Sequence, residues 1–233
     1  MGKDVIIACD FPGRTETLEF LDRFVDRKPF VKIGMELFYA EGPDIVREIK
    51  KRGHRIFLDL KLHDIPNTVE KAMASLSELD IDMTNVHAAG TIDMMEAALR
   101  GLTKPDGTRP VLIAVTQLTS TSEARMQDEL LIDSSLPDVV TAYARNAKAA
   151  GLDGVVCSPL EAGMIHGACG RDFVTVTPGI RFAGAAADDQ SRITTPEKAR
   201  EIGSDYIVVG RPITKADDPV AAYERCRKEF IDE

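Results

Sequence analysis

Asp59, Lys61 and Asp64 set two carboxylates and an ammonium within one short stretch of chain. On a strand, residues two apart point to the same face, so Asp59 and Lys61 would share one, with Asp64 in the turn that follows. A lysine between carboxylates is held in its charged form, and such a lysine can give a proton to a developing carbanion. The same three residues would also serve as an ion-pair network tying a strand end to its loop, and their spacing does not decide between the two. A second chemistry is written further along. Thr177-Pro178-Gly179-Ile180-Arg181 and Val209-Gly210-Arg211-Pro212-Ile213 each place a glycine shortly before an arginine. Glycine lets backbone amides approach an anion and arginine offers a fork of donors, a pairing suited to phosphate. Two ordinary turns with solvated arginines are the plainer alternative.

No metal motif accompanies these groups. His54, His63, His87 and His166 are scattered without a paired spacing on one helix, and the lysine between Asp59 and Asp64 competes with any Mg²⁺ for their charge. His63 falls inside the charged cluster, as a hydrogen-bonding support or a reagent, and His87 closes a strand, where it suits a buried polar network. There is no nucleophile elbow and no Cys–His pairing.

Such groups need elements to position them. Apolar, β-branched runs recur at 5–10, 30–34, 55–61, 83–88, 111–118, 154–158, 173–178 and 206–210, several apolar almost throughout, as strands buried on both faces of a parallel sheet are. Between them lie helical patterns. One spans 36–51 with Gly53 beyond its end, another spans 136–151, and Thr195-Pro196-Glu197 and Asp217-Asp218-Pro219 open two more. Eight βα units predict an α/β fold, a (β/α)₈ TIM barrel in a single domain spanning 1–233. An open doubly wound sheet is disfavoured, because Phe11-Pro12-Gly13-Arg14-Thr15 after the first run is no dinucleotide fingerprint. In a barrel, function gathers where strands end. Here those ends carry Asp10, Lys32, Asp59 with Lys61, His87, residues 116–119, Ser158, residues 178–181, and Gly210 with Arg211. The long connection 179–194 reads as a lid at the phosphate end, with a variable surface loop as the plainer alternative.

A net charge of −9 argues against binding nucleic acid, while leaving room for a small anion held by local Lys and Arg. The run Val5-Ile6-Ile7-Ala8 is too short, and too soon followed by Asp10, for a signal peptide or membrane span. Cys9, Cys157, Cys169 and Cys226 show neither zinc nor redox spacing, which fits free thiols in a reducing cytoplasm.

The stretch Phe57-Leu58-Asp59-Leu60-Lys61-Leu62-His63-Asp64-Ile65-Pro66-Asn67-Thr68-Val69 closely resembles the signature of the bacterial orotidine 5′-phosphate decarboxylase family. Ala8-Cys9-Asp10, Val31-Lys32-Ile33-Gly34-Met35, Thr116-Gln117-Leu118-Thr119-Ser120, the two Gly/Arg loops and Asp188-Asp189-Gln190 match in family order from first strand to last. The resemblance implies cofactor-free decarboxylation of orotidine 5′-monophosphate to uridine 5′-monophosphate in pyrimidine synthesis. In that reading Lys61 protonates C6, and Asp59 sits beside the substrate carboxylate in an alternating charge network with Lys32, Lys61 and Asp64. Asp10 and Lys32 contact the ribose and Thr119 reads the pyrimidine. Gln190, Gly210 and Arg211 hold the phosphate, with Pro178 in the same rim and Arg181 anchoring the lid. Asp64 and Thr68 reach into the site of a second subunit, which makes the enzyme a homodimer with shared sites. Cys9 replaces the family's frequent Leu, and Phe182 its frequent Pro.

Two other functions compete. A Mg²⁺-dependent decarboxylase or aldolase of sugar phosphates would share the Asp-x-Lys-x-x-Asp spacing but not the Ile65-Pro66-Asn67-Thr68 tail. A non-catalytic nucleotide-binding barrel would have no need of Asp59, Lys61 and Asp64 together.

Overall fold

The computed structural model describes residues 3–184 and 194–231. They form a closed barrel of eight parallel strands: β1 (Asp4–Ala8), β2 (Phe30–Gly34), β3 (Ile56–Leu62), β4 (Met83–His87), β5 (Val111–Val115), β6 (Gly154–Val156), β7 (Val174–Thr177) and β8 (Tyr206–Val209), with β8 pairing back to β1. The helices are α1 (Arg14–Asp22), α2 (Met35–Glu41), α3 (Pro43–Lys51), α4 (Pro66–Ser77), α5 (Thr91–Leu102), α6 (Glu123–Leu130), α7 (Leu136–Ala149), α8 (Ala162–Cys169), α9 (Pro196–Ile202), α10 (Arg211–Thr214) and α11 (Pro219–Ile231). Every run read as a strand became one, most of them a residue or more shorter than the apolar stretch itself. The barrel predicted from them is the fold observed.

One helix boundary differs from the sequence reading. The pattern across 36–51 is broken at Gly42, whose φ of 66° leaves the helical region, and Pro43 then opens α3 as its first residue. Apolar spacing runs through this break because α2 and α3 bury the same side, with Leu37, Ile45, Val46 and Ile49 fully covered. The other helix starts hold. Thr195 accepts the Lys198 N–H at 3.2 Å, and Asp218 accepts those of Val220 and Ala221 at 3.1 Å each.

Two apolar layers hold the barrel. The outer layer lies between strands and helices. The inner one, Ile6, Ala8, Phe30, Phe57, Met83, Ile113, Val174, Val176, Tyr206 and Val208, fills the barrel itself. Fully burying such side chains stabilises by roughly 1.5–3 kcal/mol each. Side chains alternate along a strand, so the residues two further on must also face the barrel axis. Phe30 is followed by Lys32, Phe57 by Asp59, Met83 by Asn85 and Ala8 by Asp10. The interior thus changes from apolar to charged towards the strands' C-terminal ends.

The α4–α5 pair fixes the segment after β3. At Gly101 in α5, an added Cβ would lie 2.0 Å from the backbone oxygen of Glu70 in α4, so the two helices touch where only glycine fits. Beside that contact Arg100 pairs with Glu70 at 2.9 Å. In an exposed helix, Gly→Ala would stabilise by up to about 1 kcal/mol. Here the clash meets rigid backbone and should dominate, at about 1–3 kcal/mol. Gly101→Ala is expected to lower the melting temperature in a thermal denaturation followed by circular dichroism, and an unchanged or higher value would disprove this packing argument.

Candidate active site

The charged residues meet at the mouth of the barrel. Lys61 Nζ lies 2.7 Å from Asp59 Oδ1, and Lys32 Nζ lies 3.4 Å from Asp59 Oδ2 and 2.9 Å from Asp10 Oδ1. The Asp59 and Lys32 side chains are only 10% and 12% exposed, while that of Asp10 is 57% exposed and faces the entrance. Burial alone would push the Asp59 carboxyl up. The charges of Lys32 and Lys61 and hydrogen bonds from Lys61 and Asn85 outweigh it and hold the group below its ordinary value. For Lys32, burial acts to lower the value, and the Asp59 and Asp10 carboxylates overcome it, raising the ammonium's pKa.

Simple alternation does not bring Asp59 and Lys61 together. Between Leu58↔Thr84 and Leu62↔Val86 the ladder advances four residues along β3 and two along β4, so β3 is bulged there. Lys61 itself has a φ of 52°, in the left-handed region that side-chain-bearing residues rarely adopt. The proximity inferred from spacing is present, and the bulge is its cause.

Asp64 corrects the picture of a lysine held between two carboxylates. Within one chain it is exposed, its Oδ1 accepts the Ile65 N–H at 2.6 Å, and among the described residues no ion pair joins it to Lys61. Thr68, in the first turn of α4, is exposed as well.

A cleft of about 370 Å³ begins at this cluster, lined by Asp10, Lys32, Pro178, Gly179, Arg181, Gly210 and Arg211, with Thr214 and Lys215 at its rim. Both Gly/Arg loops thus converge on one side of it. A second lobe of about 150 Å³ continues past Asp59 and Lys61 to Gln117, Leu118 and Thr119, floored by Phe57, Val115, Val156 and Val208. The charged pair therefore stands between an anion-type end and a flat apolar end. Thr214 and Lys215 carry no signal in the sequence, whereas Gln117, within the 116–119 strand end, follows Val115 on the interior face.

The long connection is clamped at its base. Ile180 bridges Thr194, the Arg181 N–H donates to Thr194 O at 2.9 Å, and Thr194 N–H donates to Gly179 O at 3.1 Å. Phe182 lies under the Arg225 guanidinium of α11 at 4.2 Å from its ring centre. Gln190 and most of the segment read as a lid lie outside the described residues.

The remaining candidates have structural duties. Ser158 forms a capping box with Glu161, His54 bonds Pro29 O at 2.9 Å, and His166 meets Asp205 at 3.1 Å. The His63 and His87 rings lie 5.7 Å apart, tilted by 38°, and burial, then the charges of His63 and Lys61, lower the pKa of His87. All four cysteines are buried free thiols, with Cys9 pushed up to about 12 by desolvation. Among the described residues no group of three or more His, Cys, Asp or Glu is placed to hold a metal ion, and no helix is long and apolar enough to cross a membrane. A wider groove of about 570 Å³ lies at the barrel's opposite end, but its Asp153 and Asp205 already bind Arg109, Thr175 and His166.

Comparison with known proteins points to one family with this fold. Residues 3–226 match the family described as orotidine 5′-phosphate decarboxylase / HUMPS. The orotidine 5′-phosphate decarboxylases of Bacillus cytotoxicus and Bacillus cereus are each 56% identical over 233 residues, covering 99% of this chain and 98% of theirs. A crystal structure of orotidine 5′-phosphate decarboxylase from Lactobacillus acidophilus superposes with a TM-score of 0.88 at 44% identity, over 98% of this chain and 99% of that one. An uncharacterised conserved protein from Geobacillus kaustophilus gives 0.87 at 49% identity, over 97% and 99%. With a family match over nearly the whole chain and relatives 56% identical along it, this chain belongs to the orotidine 5′-phosphate decarboxylase / HUMPS family.

Proposed function

We propose that this chain is a carboxy-lyase that converts orotidine 5′-monophosphate to uridine 5′-monophosphate and carbon dioxide, with Lys61 delivering the proton to C6. The observation that carries this is the Lys32–Asp59–Lys61 array, set at 3.4 and 2.7 Å between an arginine-lined cleft and an apolar lobe. A nucleotide would fit that polarity. Its phosphate would lie by Arg181, Gly210 and Arg211 near Pro178, its ribose hydroxyls by Asp10 and Lys32, and its ring in the lobe under Thr119. Gln190 joins the phosphate set by the family resemblance alone.

In the reaction the C6–carboxylate bond breaks, carbon dioxide leaves, and the electron pair remains on C6. In this reading the Lys61 ammonium is the proton source; C6 takes its proton and solvent restores it. The carbanion has no ring orbital to spread into, so its stabilisation has to come from charges already in place. Removing one such preorganised donor typically costs about 3 kcal/mol, or roughly 10²–10³ in rate. Larger accelerations require binding energy from groups remote from C6, which the phosphate and ribose contacts supply.

Asp64 and Thr68 would complete the site of a second copy of the chain. Both are exposed, and in one chain Lys61 pairs with Asp59 alone among the described residues. A homodimer with shared sites gives Lys61 its second carboxylate. Small-molecule substrate and a second subunit are the only partners this reading requires, and a reducing cytoplasm suits its four thiols.

Two experiments test this. The absorbance loss of orotidine 5′-monophosphate should continue with chelator present, and Lys61→Ala should lower kcat by at least about a thousandfold. An inert native protein, chelator-sensitive activity or an active Lys61→Ala would refute the assignment. Lys61→Ala and Asp64→Ala dimers should each be almost inactive, yet recover about a quarter of native activity when mixed and re-associated, because about half the dimers then hold one intact site. No recovery would mean that the sites are not shared.

A further inference from the structure

Asn85 lies on β4 with its side chain completely buried, at the level of the barrel interior where apolar residues give way to charged ones. Its amide joins two parts of the charged cluster. Oδ1 accepts the Lys61 backbone N–H at 2.8 Å, and Nδ2 donates to Asp59 Oδ1 at 2.7 Å. The orientation of the amide follows from chemistry alone. A backbone N–H can only donate and an ionised carboxylate can only accept, so one end must be oxygen and the other nitrogen.

The backbone it grips is the bulge. Lys61 sits at a φ of 52°, a conformation that is costly for a residue with a side chain and persists only when its surroundings hold it. β4 supplies two such holds: Asn85 on the Lys61 N–H, and the Thr84 hydroxyl donating to Leu58 O at 2.9 Å. The second arm of Asn85 lands on the same carboxylate oxygen that Lys61 Nζ contacts at 2.7 Å. Asn85 therefore sets the Lys61 backbone and the Asp59 carboxylate relative to each other. No other single short side chain supplies an acceptor and a donor side by side without adding charge.

We propose that Asn85 is a positioning residue for the proton transfer, locking the left-handed Lys61 backbone and the Asp59 carboxylate into one geometry so that the ammonium is already aimed before substrate arrives. This rests on the decarboxylase reading, since it is that reaction's proton donor which is being aimed. Asn85 lines neither lobe of the cleft, so it should act on the chemical step and leave nucleotide binding alone.

Asn85→Ala removes both arms. Asn85→Asp is isosteric and keeps an acceptor for the Lys61 N–H, but it exchanges the donor for a second negative oxygen facing Asp59. Both variants are to be compared with native protein for kcat and KM with orotidine 5′-monophosphate, for the dissociation constant of uridine 5′-monophosphate, and for thermal melting. The expected result is a fall in kcat of about 10- to 100-fold in each, with KM and product binding within about threefold of native. Asn85→Asp retaining native kcat would overturn the proposal. So would kcat and product affinity falling together, or neither variant folding, because Asn85 would then serve only the barrel. A native protein inert towards orotidine 5′-monophosphate would instead sink the decarboxylase assignment itself, and this inference with it.

Discussion

A carboxylate placed inside a barrel has to be kept charged, and in this protein that constraint falls on Asp59. An isolated buried carboxylate is costly enough that it would normally take up a proton. Two ammonium groups and one amide prevent that: Lys32 from β2, Lys61 from the bulged end of β3 and Asn85 from β4. Each partner has a further tie, Lys32 to Asp10 and Asn85 to the Lys61 backbone. The result is a network in which positive and negative groups alternate, so no charge is left uncompensated as solvent is excluded. Such an arrangement needs little reorganisation when charge appears on a substrate, which is where electrostatic catalysis gains most.

The barrel makes this possible because of its parity. The face that carries Ile6, Phe30, Phe57 and Met83 in the packed interior must, two to four residues further on, carry Asp10, Lys32, Asp59 and Asn85 at the mouth. Neighbouring parallel strands then bring these ends to one level without help from long loops. The β3 bulge adds the one departure from regularity that the chemistry requires, turning Lys61 back towards Asp59. Beyond the strand Asp64 and Thr68 stand exposed, just before and within the first turn of α4, and the packing of Gly101 against Glu70 fixes that helix.

Much of this was legible in residue types. Continuous apolar runs such as Val111–Val115 reveal strands buried on both faces, and eight of them alternating with helices leave few architectures. The Gly/Arg loops and the Asp59–Lys61 pair followed from position at strand ends. Three features did not. The helix pattern across 36–51 hid the Gly42–Pro43 break, because two helices burying the same side preserve the apolar spacing. Asn85 carries no charge to mark it and stands two residues before His87 at the strand's end, although Met83, Asn85 and His87 share one face. Proximity along the chain sets Asp64 beside Lys61, but within one chain its carboxylate turns to the Ile65 N–H instead. The β3 bulge between Leu58 and Leu62 has no residue-level signature either, since Lys61 adopts a positive φ where glycine or asparagine would be expected.

The charge state of Asp59 is the claim from which the rest follows. It can be read by NMR titration of the side-chain carboxyl carbons, with the Asp59 signal assigned by its disappearance in Asp59→Asn. A carboxyl held below its ordinary value contributes stability that is complete above that value and is lost as pH falls through the folded midpoint. The account predicts a midpoint below the ordinary 3.8, moving upward when Lys61 is replaced by alanine. A midpoint at or above 3.8 in the native protein would contradict it, since burial would then have prevailed over the two lysines.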